Sequence, residues 1–197
     1  AGVSTEELGR RAASALVATD DAIKTSEQEL EFARAQFGDA AAAEFQTALS
    51  HAKEDLDRAF ALKQQLDDRT PDTEADTRAW NAQIIDLCTH ANGELDQKAK
   101  AFDELRQLEQ NAPEALARIR AEHDAVAARQ EAAAASLAAL QRAYAAEALA
   151  TIADDPAQAA ERLTFAQEHL AAAEDEITAG DGASAAVEIR SAEAAVA

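Results

Sequence analysis

Ala12-Ala13-Ser14-Ala15-Leu16-Val17-Ala18-Thr19-Asp20-Asp21-Ala22-Ile23-Lys24-Thr25-Ser26-Glu27-Gln28-Glu29-Leu30-Glu31-Phe32-Ala33-Arg34-Ala35-Gln36-Phe37 sets a large apolar side chain at Leu16, Ile23, Leu30 and Phe37, one every seven residues. Ala12, Thr19, Ser26 and Ala33 fall between them. This is the heptad spacing of a helix that buries one narrow stripe. Small residues in alternate layers let the neighbouring helix approach closely, so the alanines are part of the signal.

The same pattern continues outward. A second stripe reads Phe45, Leu49, Ala52, Leu56, Ala59 or Phe60, and Leu66. A third reads Trp80, Ile84, Leu87, Ala91, Leu95, Phe102, Leu105 and Leu108. The fourth, Leu116, Ile119, His123, Val126, Gln130, Ala133, Leu137, Leu140 and Tyr144, holds two polar residues in its seam. Isolated polar groups at such positions more often fix alignment than perform chemistry, so His123 and Gln130 read first as register-setting groups, with a ligand role or a half-solvated edge as the alternatives.

Punctuation divides the stripes into helices. Ser4 with Glu7 has the form of a capping box, and Gly38 ends the first helix. The second is expected from Asp39 to about Arg69, where Thr70-Pro71-Asp72-Thr73 stops it and opens a third that tolerates Gly93 and ends at Gln110. The fourth starts at Pro113 and runs to about Tyr144, with a continuation through Ile152. Asp155-Pro156-Ala157-Gln158 opens a fifth, which ends at Gly180, and a short last helix runs from about Ala183 to the end.

The four long helices, of about 30 to 38 residues, would each span about 45 to 57 Å. Their short links force antiparallel neighbours. The expected fold is all-α: an elongated antiparallel up-down bundle or coiled coil of four long helices (1–152) plus a C-terminal helical hairpin (153–197) packed on it. That hairpin, with Ala159, Leu163, Ala166, Leu170, Ala173 and Ile177 before the Gly180-Asp181-Gly182 turn and Ala185, Ile189, Ala192 and Val196 after it, is similar to a single tetratricopeptide-type repeat. It reads as a cap on the bundle, with a peptide groove as the sharper alternative.

Charge narrows the function. Lys and Arg number 18 against 38 Asp and Glu, a formal net charge of -20. Such a surface lacks the basic stripe that nucleic acid requires, and anionic lipid repels it. The apolar run Ala132 to Ala139 is far shorter than the roughly 20 residues of a membrane span, so direct insertion by this segment is not expected. The chain has no methionine and opens on Ala1-Gly2-Val3, which reads as a segment of a longer polypeptide. The lone cysteine, Cys88, has no internal disulfide partner and is compatible with a reducing compartment.

Chemistry-bearing constellations are sparse. A di-iron bundle needs Glu three residues before His, whereas Ala48, Leu87, Arg120 and Ala166 precede His51, His90, His123 and His169 at that spacing. Cys88-Thr89-His90 lacks the further cysteines of a zinc site, so no metal site is expected. Gly180-Asp181-Gly182 lies between helices and has no phosphate-loop context. Ser50 and His51 are adjacent on a helix and so diverge by about 100° rather than forming a nucleophile and base. Glu27-Gln28-Glu29-Leu30-Glu31, Glu54-Asp55, Asp67-Asp68 and Glu174-Asp175-Glu176 read as solvated faces, and Trp80 as an anchor at a bundle end. No catalytic residue and no cofactor are expected.

Glu31-Phe32-Ala33-Arg34-Ala35-Gln36-Phe37-Gly38, Ala59-Phe60-Ala61-Leu62-Lys63-Gln64-Gln65-Leu66-Asp67-Asp68, Ala101-Phe102-Asp103-Glu104-Leu105-Arg106 and Leu108-Glu109-Gln110-Asn111-Ala112-Pro113-Glu114-Ala115-Leu116 together resemble the helical region of actinobacterial TPM-domain-containing membrane proteins. The resemblance runs through Asp155-Pro156 and the final hairpin. It implies a parent with a secretory signal, an extracytoplasmic TPM domain and a membrane span, which would place this region on the cytoplasmic side. TPM domains have been linked to phosphatase activity and to maintenance of membrane complexes, but no residue of that domain is present to carry over. The expected function is a non-enzymatic spacer or docking region that offers an acidic surface to a protein partner or to a second copy. A ligand-binding or catalytic bundle with an unfamiliar site is the alternative.

Overall fold

The computed structural model describes residues 3–68, 73–144 and 155–197. Every regular element among them is an α-helix: α1 Thr5–Phe37, α2 Asp39–Leu66, α3 Glu74–Gln110, α4 Ala112–Ala143, α5 Asp155–Ala179 and α6 Gly182–Val196. The chain divides into two compact units, Ala1–Asp103 and Glu104–Ala197. α4 packs on α5 and α6, so the boundary between the two units falls inside α3. The expected end of the second helix near Arg69, the Thr70-Pro71 stop and the continuation through Ile152 lie partly or wholly outside the described residues.

In the first unit the buried face of α1 is Ala12, Leu16, Thr19, Ile23, Ser26, Leu30, Ala33 and Phe37, the full large-and-small heptad stripe of the sequence. Ser4 caps α1, accepting from the Glu7 N–H at 3.2 Å. The reciprocal half of the expected capping box is missing. The Glu7 carboxylate turns instead to Arg11 at 2.8 Å and to Arg10, charge-assisted bonds that outcompete a neutral backbone N–H and hold its pKa below the usual range. Gly38, at φ 87°, supplies the left-handed residue that ends α1 and lets α2 begin one residue later.

Glu27 of α1 pairs with Lys53 of α2, and Arg34 with Gln46, so the two helices run antiparallel. On α3, Glu74 and Arg78 meet Thr5, while Phe102 stacks at 6.0 Å from Phe37 and 5.6 Å from Phe45. α3 therefore runs parallel to α1 and antiparallel to α2, an up-down-up bundle. Between Ala59 and Phe60, the seam of α2 takes Ala59 and leaves Phe60 42% exposed. On α3 it takes Asn81 and Cys88 rather than Trp80 and Leu87, which are half-buried: Asn81, Ile84, Cys88, Ala91 and Leu95 keep the three-four step better.

In the second unit Ala112, Ala115, Leu116 and Ile119 of α4 pack with Ala166, Leu170 and Ala173 of α5 and with Ala185, Ile189 and Ala192 of α6. Leu108, Ile177 and Val196 flank this core. Gly180, at φ 79°, closes α5, and the Asp181 carboxylate caps α6 from the Ser184 N–H at 3.0 Å. That bond, joined by one from the Ser184 hydroxyl, lowers the Asp181 pKa. The distal half of α4 is less buried than its pattern suggests: Ala133, Leu140 and Tyr144 are exposed and Leu137 alone is buried there.

One core defect yields a direct test. The Thr19 hydroxyl is fully buried beside the Cys88 thiol without a hydrogen bond of ordinary length. Replacing it by an apolar isostere, Thr19→Val, is expected to raise stability by about 1 kcal/mol, the cost of leaving a hydroxyl unsatisfied. Phe45→Ala, which empties a fully buried site against Phe102, is expected to lower it by about 3 to 5 kcal/mol. Urea unfolding of both variants against the parent measures the two shifts.

Candidate functional site

Polar side chains pair across several helix seams among the described residues. In the second unit, His123 Nε2 lies 3.2 Å from the Leu163 carbonyl and Nδ1 lies 3.1 Å from the Asp124 carboxylate, with only 12% of the side chain exposed. The Gln130 amide donates to the Pro156 carbonyl at 3.0 Å. Both side chains of the fourth stripe thus hold α4 to α5 through backbone oxygens. Along the same pair of helices Arg120 bonds the Glu174 carboxylate and lowers its pKa. His169 Nδ1 meets Glu188 of α6 at 2.5 Å, with the Phe165 ring 4.2 Å from the imidazole.

The α2–α3 seam of the first unit is denser. Asp55 belongs to one of the acidic runs read as solvated, yet only 3% of it is exposed. Its position three residues after buried Ala52 and four before buried Ala59 turns it inward, and it is rescued from isolation by His90 Nδ1 at 2.7 Å and by the Arg58 guanidinium one turn along its own helix. A buried carboxylate needs such partners, since an unpaired one would be expelled or protonated. The hydrogen bond that His90 donates to Asp55, then the Asp55 charge, raises the pKa of His90 above the ordinary 6.5, with Glu94 adding in the same direction and burial and Arg58 opposing.

One turn further along, His51 Nδ1 faces Glu94 Oε2 at 3.7 Å, and Glu44 accepts from Lys98 at 2.7 Å. Ser50 donates to the Gln46 carbonyl at 3.1 Å, so its hydroxyl is engaged with the backbone and not with His51. Cys88 is buried and free, and burial pushes its thiol up, away from the nucleophilic thiolate. Among the described residues no group of three His, Cys, Asp or Glu side chains could hold a metal ion. Asp55 is the group that sequence reasoning missed. Its signal was the four-residue spacing from His51 opposite a His90 and Glu94 pair of the same spacing.

These features define an acidic, all-α bundle segment whose histidines are tied to carboxylates and backbone oxygens across helix seams. Over 116 residues the chain is 40% identical to two UPF0603 proteins of Mycobacterium tuberculosis, one from strain CDC 1551 / Oshkosh and one from strain ATCC 25618 / H37Rv. The match takes in 59% of this chain and 18% of either relative, so the chain matches less than a fifth of their length. No family model and no solved structure matches it. No helix among the described residues is long and apolar enough to cross a membrane.

The raised pKa of His90 has a pH signature. Its pairing with Asp55 contributes in full below the unfolded value near 6.5 and is lost as pH rises through the higher folded value. In chelator-treated buffer, the NMR titration of the His90 ring is expected to have its midpoint above 6.5 and to move down toward it in Asp55→Asn. A midpoint that the substitution leaves in place would show that Asp55 is not the cause.

Proposed function

We propose that this chain is a non-catalytic helical interaction region of a membrane-anchored TPM-domain protein, and that it docks a basic protein partner through its acidic helix faces. The observation that carries the reading is Phe32, a benzyl side chain left 72% exposed on α1 directly after Glu27, Glu29 and Glu31. A large aromatic ring exposed beside acidic groups fits an anchor that becomes buried on binding, with the charges selecting the partner. The net charge of -20 favours basic partners and disfavours nucleic acid and anionic lipid. The similarity to much longer UPF0603 proteins supports reading the chain as part of a larger assembly rather than as the unit of activity. The hydrogen-bonded histidines support a structural use of the polar seams.

The wild-type chain, immobilised as bait for lysate of the native cell, is expected to retain a basic protein at low salt and release it at high salt. Phe32→Ser, at an exposed position that folding does not need, is expected to weaken that capture by about tenfold or more, the loss typical of an interface anchor. Equal capture by both baits, or capture insensitive to salt, would defeat the docking reading. Sedimentation over a range of concentrations separates the partner from a second copy. Recovery of the parent protein in the membrane pellet tests the anchorage.

A further inference from the structure

The end of α3, the start of α4 and one face of α6 border a groove of ≈ 480 Å³ that lies wholly within the second unit. Its volume falls in the range of about 300 to 1,000 Å³ that small-ligand sites occupy. Gly182, the first residue of α6, seats directly on the last turn of α3: a Cβ there would stand 3.3 Å from the Glu109 carbonyl oxygen and Cγ. Half-buried Leu108 and buried Ala115 give the groove an apolar patch.

Charges of both signs line the rest. Arg118 of α4 and Arg190 of α6 supply guanidinium groups, and Glu104 of α3 and Glu114 of α4 supply carboxylates. Glu114 and Arg118 are four residues apart on one helix face, a spacing at which opposite charges commonly pair. They do not pair here. Arg118 turns to Glu122 at 3.1 Å and to Glu193, and Glu114 is left without an ion pair among the described residues.

The contact with Glu193 is poorly seated. Both terminal nitrogens of the Arg118 guanidinium reach the same oxygen, Glu193 Oε1, at 3.4 Å. A bidentate carboxylate offers one oxygen to each N–H, at about 2.7 to 2.9 Å. The fork is thus loosely occupied by a carboxylate of the chain itself, which a ligand carboxylate with both oxygens engaged would displace.

The surrounding field decides what else that ligand carries. At a net charge of -20 a simple anion is repelled on approach, so a carboxylate reaches Arg118 most readily when a positive charge accompanies it. Glu114 stands ready to receive that charge. α4 rises about 6 Å between Glu114 and Arg118, close to the reach of two extended residues at about 3.5 Å each. The separation suits a dipeptide better than a single amino acid, whose two charges sit on one carbon.

We propose that this groove binds a short peptide with free termini, of the dipeptide class, with its carboxylate on the Arg118 fork, its ammonium on Glu114 and an apolar C-terminal side chain on Leu108 and Ala115. Binding is non-covalent and exchanges the loose Glu193 contact for a bidentate one.

Amide NMR of the intact chain, titrated with alanyl-leucine, its N-acetyl form, its C-terminal amide and free leucine, tests the assignment. Alanyl-leucine is expected to shift the signals of Leu108, Ala115 and Arg118. Loss of either terminal charge is expected to weaken binding about tenfold or more, the worth of a charge-assisted hydrogen bond, and free leucine is expected to bind more weakly by a similar factor. In Arg118→Gln the dipeptide and its amide are expected to bind alike, and in Glu114→Gln the dipeptide and its N-acetyl form are expected to bind alike. Glu193→Gln, which frees the fork, is expected to tighten binding. Glu114 and Arg118 are exposed and Glu193 is half-exposed, so none of the three substitutions threatens the fold. No shift with alanyl-leucine, equal binding of the wild-type chain to the amide, the N-acetyl form or free leucine, or a Glu193→Gln variant that binds more weakly would each overturn the assignment. Phe32 lies in the first unit, so none of these outcomes depends on whether it docks a partner.

Discussion

The alternation of large and small residues along each seam is the constraint on which the described structure rests. Alanine at 0% exposure recurs at Ala12, Ala33, Ala52, Ala59 and Ala91 in the first unit and at Ala166, Ala173, Ala185 and Ala192 in the second. Such layers bring backbones close, so dispersion contacts come from many atoms at short range rather than from a few large side chains. A core this thin has little volume to spare. It forgives neither a slipped register nor an added methylene at the alanine layers, where close-packed backbones leave no space for a larger side chain.

Repetitive seams bring an ambiguity of their own: Leu, Ala, Leu, Ala matches itself again after a shift of one heptad. Polar groups at single positions remove that degeneracy. Asp55 finds His90 in one alignment only, and a slip of α2 past α3 would leave a buried carboxylate without its imidazole. His123 and Gln130 do the same between α4 and α5, by reaching the carbonyls of Leu163 and Pro156. The apolar layers supply most of the cohesion and the buried polar groups choose among the ways of applying it.

The division between what was legible and what was not follows from this. The stripe of α1 was readable to the residue, since all eight positions are either strongly apolar or small and the period is unbroken. The helix ends at Gly38 and Gly180 were readable from backbone chemistry. Asp55 was hidden because a carboxylate beside Glu54 looks solvated until the facing helix is known, and the partner that makes its burial tolerable lies 35 residues away. The grouping of α4 with α5 and α6 was hidden for a related reason. Heptad stripes state that a helix has a partner and leave open which one, so α4 suited the preceding long helices as well as the following short ones. The missed seam positions Asn81 and Cys88 are a smaller case, in which continuity of spacing outweighed the size of Trp80 and Leu87.

The electrostatics of the helices bear on what such a chain can bind. Acidic residues stand in the first turn of α1 through α5, where the helix dipole welcomes them. Basic residues complement the last turns of α1, α2 and α4, but α3, α5 and α6 have none there, so their carbonyl ends add to the negative field. At physiological salt that field reaches only about 8 Å, so it acts on cations already near contact. It also does not discriminate: a proton, a lysine and a metal ion are all attracted. Selection must come from short-range groups placed within the field. An exposed benzyl ring at Phe32 favours a chain that brings apolar surface along with its positive charge. The acidic field thus sets only the sign of what approaches the chain, and short-range side-chain chemistry decides which cationic group is held.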